Sequence, residues 1–376
     1  MGRVAVFHNT LDFRGGADAV CLHTCAALAR DHEVTLFTAS AADPEAVAAQ
    51  FGVDFDATVV QPPGGPVVAA ALESLGPRIG PQLAARTALL GAFARRHTDP
   101  YDAVVSTANE LSLSTPSVQY VHFPQFRLDR TTAGEAGRLN RLWSRLAAPE
   151  FRSEPENDDR PDAGRTRLLA NSGWTADVVE SVYDVRPTVC HPPVDPVDGR
   201  RWADREVGVL VLGRLAPDKR PLEAVEVLDR LRERGYDLTG RIVGSAPATY
   251  RDHVERVERA AAERSYLTVE TDVSRRRVVD LLGRYRYGLN MKPREHFGMA
   301  VAEYVAAGQL PFAPDSGGQA EVLAGDERLL FDDVAGAVDR IATAVDAELE
   351  PFLPRDRFAS DRFAATMRDH VAAVMA

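Results

Sequence analysis

The sequence predicts an α/β protein made of two doubly wound, parallel-sheet domains that face a cleft. Three observations carry that prediction. Near the start, Val4–His8 and Glu33–Thr38 read as strands on either side of Asp18–Arg30, which has helical periodicity. A strand-helix-strand unit of this kind calls for parallel pairing. The same alternation restarts at the wholly apolar Gly208-Val209-Leu210-Val211-Leu212, after Pro and Gly from Pro192 to Gly199 mark a linker. Finally, 376 residues is long for one core and comfortable for two.

In the first half, Val4–His8 leads through Asn9–Arg14 to Gly15-Gly16 at the start of the first helix. A glycine pair there lets backbone approach a ligand at a helix N-terminus. It is not the G-x-G-x-x-G of a dinucleotide site, which disfavours a dehydrogenase. Residues 43–96 alternate helix-like segments with Pro/Gly turns; a packed face suits them, and they are assigned no chemistry. Tyr101–Thr107 and Ser117–His122 are expected as strands, with His122 at a carboxyl end, the edge where open parallel sheets collect ligands. An amphipathic helix is expected over Gly134–Ala148, then a polar acidic loop over Pro149–Gly164. Arg167–Ala170 follows as a strand, and a helix through Val182 is capped by Ser172 or Thr175.

In the second half, the strand at Gly208–Leu212 runs into Gly213-Arg214-Leu215-Ala216-Pro217-Asp218-Lys219 and a helix to Arg234. Arg214 and Lys219 flank a strand-to-helix loop, which suits two cations gripping a diphosphate. Only Lys219 and Lys292 among the 44 basic residues are lysine, so a lysine at this loop asks for a reason. Strands at Arg241–Val243 and Leu267–Val269, with helices over Thr249–Glu263 and Ser274–Arg284, continue the alternation. Tyr287–Met291 then reads as a buried strand, and the Ala-rich run after Gly298 as a helix ending at Gly308. Between them, backbone N–H groups at Phe297, Gly298 and Met299 form a helix N-terminus that favours a phosphate. Glu295 and Glu303 flank that terminus, roughly 12 Å apart if the spacing is helical throughout. Downstream, the Gly317-Gly318 turn could offer N–H groups to a sugar. The last helix is expected over Ser360–Met375.

Glu295 and Glu303 form an E-x7-E pattern, and with it the chain resembles glycosyltransferase family 4, retaining enzymes of the GT-B fold. Gly15-Gly16, Tyr120-Val121-His122-Phe123-Pro124, Asn171-Ser172, Pro192-Pro193-Val194-Asp195 and Gly213-Arg214-Leu215 with Lys219 resemble its other motifs, in order along nearly the whole chain. Asp18 stands where the family more often has Glu. Glu295-His296-Phe297-Gly298-Met299 and Ser316-Gly317-Gly318 look most like the α-1,2-mannosyltransferases of dolichol-linked oligosaccharide assembly. The resemblance implies metal-independent transfer of a hexose from a nucleotide diphosphate to a hydroxyl, with retention. It implies Arg214 and Lys219 on the leaving phosphate, Glu303 on the ribose, and Glu295 on the donor hexose, with His122 facing that hexose from the opposite domain. It implies an acceptor-side domain over 1–199, a donor-binding domain over 200–357, and a terminal helix, 358–376, packing back on the first. GDP-mannose is the first choice of donor and a polyisoprenoid-linked glycan the first choice of acceptor. A UDP- or ADP-glucose enzyme making a soluble glycoside, and a non-catalytic nucleotide-sugar binder, remain the alternatives.

Composition narrows the classes further. A formal charge of -11 argues against a nucleic-acid binder. Cys21, Cys25 and Cys190 have neither zinc nor disulfide spacing, and Cys21 and Cys25 are expected to pack in a core. His296 lacks metal-ligand spacing to any other His or Cys, so no metal and no cofactor beyond the donor is expected. The acidic, Arg-for-Lys composition looks salt-adapted, and a mutational bias in the genome would leave the same Arg excess. No apolar run reaches the roughly 18 residues that span a bilayer, and the chain enters a strand directly after Met1. A cytoplasmic protein that at most touches the membrane face is expected.

Overall fold

The computed structural model describes residues 1–62, 83–111, 113, 115–126 and 166–376. The expected helix at 134–148 and acidic loop at 149–164 lie outside the described residues, as do residues 63–82. The chain forms two compact units, Met1–Pro193 with Ser360–Ala376, and Val194–Ala359.

The first unit is a seven-stranded parallel sheet. Its strands are β1 (Arg3–His8), β2 (Glu33–Thr38), β3 (Thr58–Val60), β4 (Ala103–Ser106), β5 (Ser117–Val121), β6 (Thr166–Ala170) and β7 (Thr188–Val189). They lie in the order β3-β2-β1-β4-β5-β6-β7. β1 shows why the sheet is covered on both sides. Val4 and Val6 enter one hydrophobic cluster while Ala5 and Phe7 enter another, the two-residue period of a strand with both faces buried. Helices α1 (Gly16–Ala29), α2 (Pro44–Phe51), α3 (Leu83–His97) and α4 (Gly173–Tyr183) belong to this unit. Ser172 is the residue that caps α4, its side chain accepting from Thr175 N at 3.1 Å. Cys21 and Cys25 are buried free thiols on α1.

The terminal helix, here α11 (Ser360–Met375), completes the first unit's core. Phe363, Met367, Val371 and Val374 recur on one helical face and join the cluster that contains Cys21, Cys25 and Tyr120.

The second unit is a six-stranded parallel sheet, order β10-β9-β8-β11-β12-β13. Its strands are β8 (Glu206–Leu212), β9 (Thr239–Gly244), β10 (Leu267–Thr271), β11 (Tyr285–Leu289), β12 (Leu310–Pro314) and β13 (Leu330–Phe331). Along β8, Val209 and Val211 face one cluster and Leu210 and Leu212 the other. The intervening helices are α5 (Pro221–Glu233), α6 (Arg251–Ala262), α7 (Arg275–Arg284), α8 (Met299–Ala306), α9 (Gly318–Val322) and α10 (Val334–Asp346). Tyr304 on α8 ties the two central strands together: its hydroxyl accepts from Leu212 N at 2.6 Å and donates to Leu289 O at 3.3 Å.

The pattern reading names neither the helix Val334–Asp346 nor the short edge strands. β3, β7 and β13 are two or three residues long, too short for a periodicity to register, and they form because a longer neighbour offers its edge.

Candidate active site

The second sheet reverses its winding between β8 and β11: β9 and β10 add on one side, β12 and β13 on the other. Loops leaving the carboxyl ends of two strands at such a point diverge, and the crevice between them is where ligands bind in open α/β sheets. β8 exits into Gly213–Arg220 and β11 into Asn290–Gly298. Every charged group that the sequence singles out in this half, except Glu303, stands on one of those two loops.

Within the crevice the charges alternate. Lys219, ending a one-turn 3-10 helix at Pro217–Lys219, pairs through Nζ with Glu295 Oε1. Lys292 Nζ lies 3.6 Å from the other oxygen of Glu295 and 3.2 Å from Asp218 Oδ2. Asp218 Oδ1 lies 3.4 Å from Arg214 Nη2, and the Arg214 guanidinium sits 5.7 Å from the centre of the Tyr250 ring. Burial alone would favour neutral Glu295, but Lys219 and then Lys292 outweigh it and hold the carboxyl below its ordinary range. Asp218 is likewise lowered, Lys292 and Arg214 overcoming its burial. His296 moves the opposite way: burial, with Lys292 second, depresses its ring to about 4, so it is neutral at physiological pH.

The turn into α8 departs from the helical spacing that the sequence suggests. Glu295 forms a parallel bridge with Gly317, and the helix begins only at Met299, so the roughly 12 Å estimate for a continuous helix does not describe the separation of Glu295 and Glu303. Gly298 caps α8 in the left-handed region, φ 102°, without a side-chain cap. A Cβ at Gly298 would lie 2.9 Å from Gln319 Cβ, and one at Gly317, φ 77°, would overlap the Glu295 backbone. Both glycines are demanded by two loops packed against each other. Gly318 N–H donates to Glu295 O at 2.7 Å, so it joins those loops instead of pointing to a sugar. Glu303, on α8, is ion-paired with Arg275 in the first turn of α7.

Gln319 went unnoticed in the sequence as anything but part of a turn. Fully buried, it accepts from Asn290 Nδ2 at 2.6 Å and donates to Lys292 O at 3.0 Å, Pro314 O at 3.1 Å and Ser316 O at 3.1 Å. It therefore laces the loop after β11 to the loop after β12. Gln319→Leu keeps the bulk and orphans these buried groups, so a loss of about 2 kcal/mol of stability is expected from thermal or urea unfolding. No change would show that water replaces the clasp. Arg275 also escaped notice, because no pattern links it to Glu303 across 28 positions; only packing does.

In the first unit, Gly15 caps α1, Gly16 is its first residue, and His122 stands just past the carboxyl end of β5. Gly15 precedes α1 with φ −109°, and a Cβ there would meet only Phe13 O at 4.0 Å, so the fold itself does not require glycine. Asp18 is committed internally: it accepts from Gly15 N at 3.0 Å and lies 3.0 Å from His8 Nε2, with both side chains buried. Burial opposes a charged His8 ring, while Asp18 acts to raise it. Burial also pushes the Cys21 thiol well up, so that sulfur is neutral at physiological pH and Asp18 is the group that holds the proton on His8.

His122 follows β5, and its backbone is pinned on both sides. Its N–H donates to Asn109 Oδ1 at 2.6 Å, and its carbonyl accepts from Asn171 Nδ2 at 3.0 Å. Glu110 continues the clamp, its Oε1 accepting from Gln125 N at 2.7 Å, Phe126 N at 2.9 Å and the Tyr183 hydroxyl at 2.8 Å. Burial dominates over these donors and raises Glu110 to about 7; among the described residues its Oε2 has no hydrogen-bond partner. A carboxyl raised in the folded state favours folding below its unfolded value and loses that contribution as pH rises to about 7. Glu110→Gln, which mimics the neutral acid, should therefore match the parent in Tm near pH 4.5 and exceed it at pH 8. Parallel Tm curves across that range would remove the assignment.

Two parallel-sheet α/β units of this kind define the GT-B fold of glycosyltransferases. The crystal structure of Anabaena Alr3699/HepE in complex with UDP-glucose aligns with 99% of this chain and 100% of its own, with a TM-score of 0.69 at 14% identity. The pneumococcal O-GlcNAc transferase GtfA in complex with UDP and GlcNAc covers 100% of this chain and 99% of its own, with a TM-score of 0.66 at 10% identity. Residues 199–357, within the second unit, match the family model for glycosyl transferases group 1.

Curated relatives include the GDP-Man:Man(3)GlcNAc(2)-PP-Dol alpha-1,2-mannosyltransferase of Dictyostelium discoideum, 27% identical over 178 residues, 41% of this chain and 35% of that protein. The protein of the same description from Eremothecium gossypii is 24% identical over 230 residues, 54% and 38% of the respective chains. The chain thus spans little more than a third of the length of these relatives. Among the described residues no helix is long and apolar enough to cross a membrane, and no three His, Cys, Asp or Glu side chains are grouped to hold a metal ion.

Proposed function

We propose that the protein transfers a hexose, mannose from GDP-mannose in the first instance, to a hydroxyl of a polyisoprenoid-linked glycan, with retention at the anomeric carbon. One observation carries this reading: Arg214 and Lys219 stand with Glu295 on the two loops that diverge at the switch point of the second sheet, in the unit that matches the family model. Two cations on a strand-to-helix loop fit the diphosphate. Glu295 is assigned to the donor hexose and Glu303 to the ribose hydroxyls, while Phe297, Gly298 and Met299 at the start of α8 are assigned to the phosphates. Gly317 remains assigned to the donor. In the first domain, taken as 1–199 with 358–376, His122 is assigned to the hexose, and Gly15 and Gly16 give backbone room for the substrate. The donor domain is taken as 200–357.

The reaction is balanced without a further reactant. The anomeric carbon–phosphate oxygen bond breaks, the acceptor oxygen bonds the same face, and its proton passes to the departing phosphate. Arg214 and Lys219 stabilise the charge developing there by electrostatic preorganisation. The mannosyltransferase descriptions of the relatives favour mannose and a lipid-linked acceptor over a glucosyl donor and a soluble acceptor. The test is a thermal-shift panel of GDP, UDP and ADP, followed by transfer from the matching mannose and glucose donors to a polyisoprenoid-diphosphate glycan. A raised Tm with GDP and mannosyl transfer are expected, since a ligand bound only to the folded state raises apparent stability. Selective response to UDP or ADP would replace the donor, and nucleotide binding without transfer or donor hydrolysis would leave a non-catalytic binder.

A further inference from the structure

Both lysines of this 376-residue chain reach one carboxylate. Lys219 takes Oε1 of Glu295 and Lys292 approaches Oε2 at 3.6 Å, in a protein whose other 42 cationic side chains are arginine. Lys292 also lies 3.2 Å from Asp218 Oδ2, and Asp218 lies 3.4 Å from Arg214. Five charged side chains thus alternate in sign, Arg214, Asp218, Lys292, Glu295 and Lys219, with cations at both ends and Lys292 in the middle.

We infer that Lys292 is a positioning residue for the diphosphate: it neutralises Asp218 and Glu295 together, so that Arg214 and Lys219 present a net positive site. The inference rests on the nucleotide-sugar reading above and deepens it. Three cations against two acids leave one positive charge; without Lys292 the acids balance Arg214 and Lys219, and a dianionic group meets a neutral cluster. Position supports the role. Lys292 and Glu295 lie three residues apart on one loop, and Asp218 comes from the facing loop, so only a group between the loops can serve both acids. The Lys292 ammonium lies within ion-pair distance of both carboxylates from one atom. The side chain is one-fifth exposed, which leaves it partly shielded from the solvent that weakens surface pairs. The backbone of this loop is held separately, with Lys292 O accepting from Gln319, so altering the side chain leaves the Gln319 clasp in place.

The test is calorimetric titration of the whole protein with GDP and with UDP, using the parent, Lys292→Met, Lys292→Met with Asp218→Asn, and Lys292→Arg, with Tm as a folding control. Lys292→Met is expected to bind the parent's preferred nucleotide about tenfold more weakly. Adding Asp218→Asn removes one uncompensated acid and should bring affinity back to within about threefold of the parent, a recovery that a merely structural lysine would not give. Lys292→Arg, which serves where the methionine variant does not fold, should stay within about threefold because it keeps the charge. Lys292→Met within twofold of the parent, no recovery in the double variant, or a tenfold loss in folded Lys292→Arg would each overturn the inference. A parent protein that binds neither nucleotide would instead remove the donor reading on which it rests.

Discussion

Lys219→Ala is expected to lower turnover about 100- to 1,000-fold at saturating donor, the range for removing one preorganised group that meets charge appearing in a transition state. The effect should fall on kcat because the phosphate oxygen gains most of its charge as the sugar leaves. A second consequence follows from the ion pair. Lys219 is the strongest influence holding Glu295 ionised against its burial, with Lys292, His296 and Asp218 the other titratable groups close by. Without Lys219 the Glu295 carboxyl rises, so the acidic limb of the rate profile should move to higher pH. Single-turnover rates across pH would measure both. Unchanged turnover, with the acidic limb in place, would make Lys219 only a structural partner of Glu295.

Glu303→Ala should weaken nucleotide binding by about 1.5–3 kcal/mol, the usual worth of a hydrogen bond to a charged group. That corresponds to roughly 10- to 100-fold in Kd. Arg275 complicates the reading, because the substitution leaves its guanidinium without the Glu303 carboxylate. Arg275→Ala is therefore the companion measurement. If Glu303 binds ribose directly, the Glu303 variant should lose more affinity than the Arg275 variant, and a 2′,3′-dideoxynucleotide should bind parent and Glu303→Ala alike. A dissociation constant untouched by Glu303→Ala excludes the ribose role.

Much of the framework was legible because it depends on local periodicity. Val4–His8, Glu33–Thr38 and Gly208–Leu212 announce strands covered on both faces, and the last helix was read with the bounds Ser360–Met375 that it has. Arg214, Lys219, Glu295 and Glu303 stood out from their places on strand-to-helix joints and from the family likeness. Lys292 carried two visible signals, its rarity and its place three residues before Glu295, which made it a weaker cation candidate than Arg214 and Lys219, but nothing in the sequence joined it to Asp218.

The sequence by itself determined the alternation of strands and helices, the apolar faces that bury two parallel sheets, and which charged residues leave the carboxyl ends of strands. These follow from periods of two and 3.6 residues and from glycine at turns, all properties of neighbours in the chain. Tertiary structure alone decided the pairings: Lys292 between Asp218 and Glu295, Arg275 on Glu303, Gln319 across two loops, and Asp18 on His8. Each joins groups whose proximity is set by sheet order and loop packing. A one-dimensional pattern encodes which face a side chain takes, but not which distant side chain shares that space.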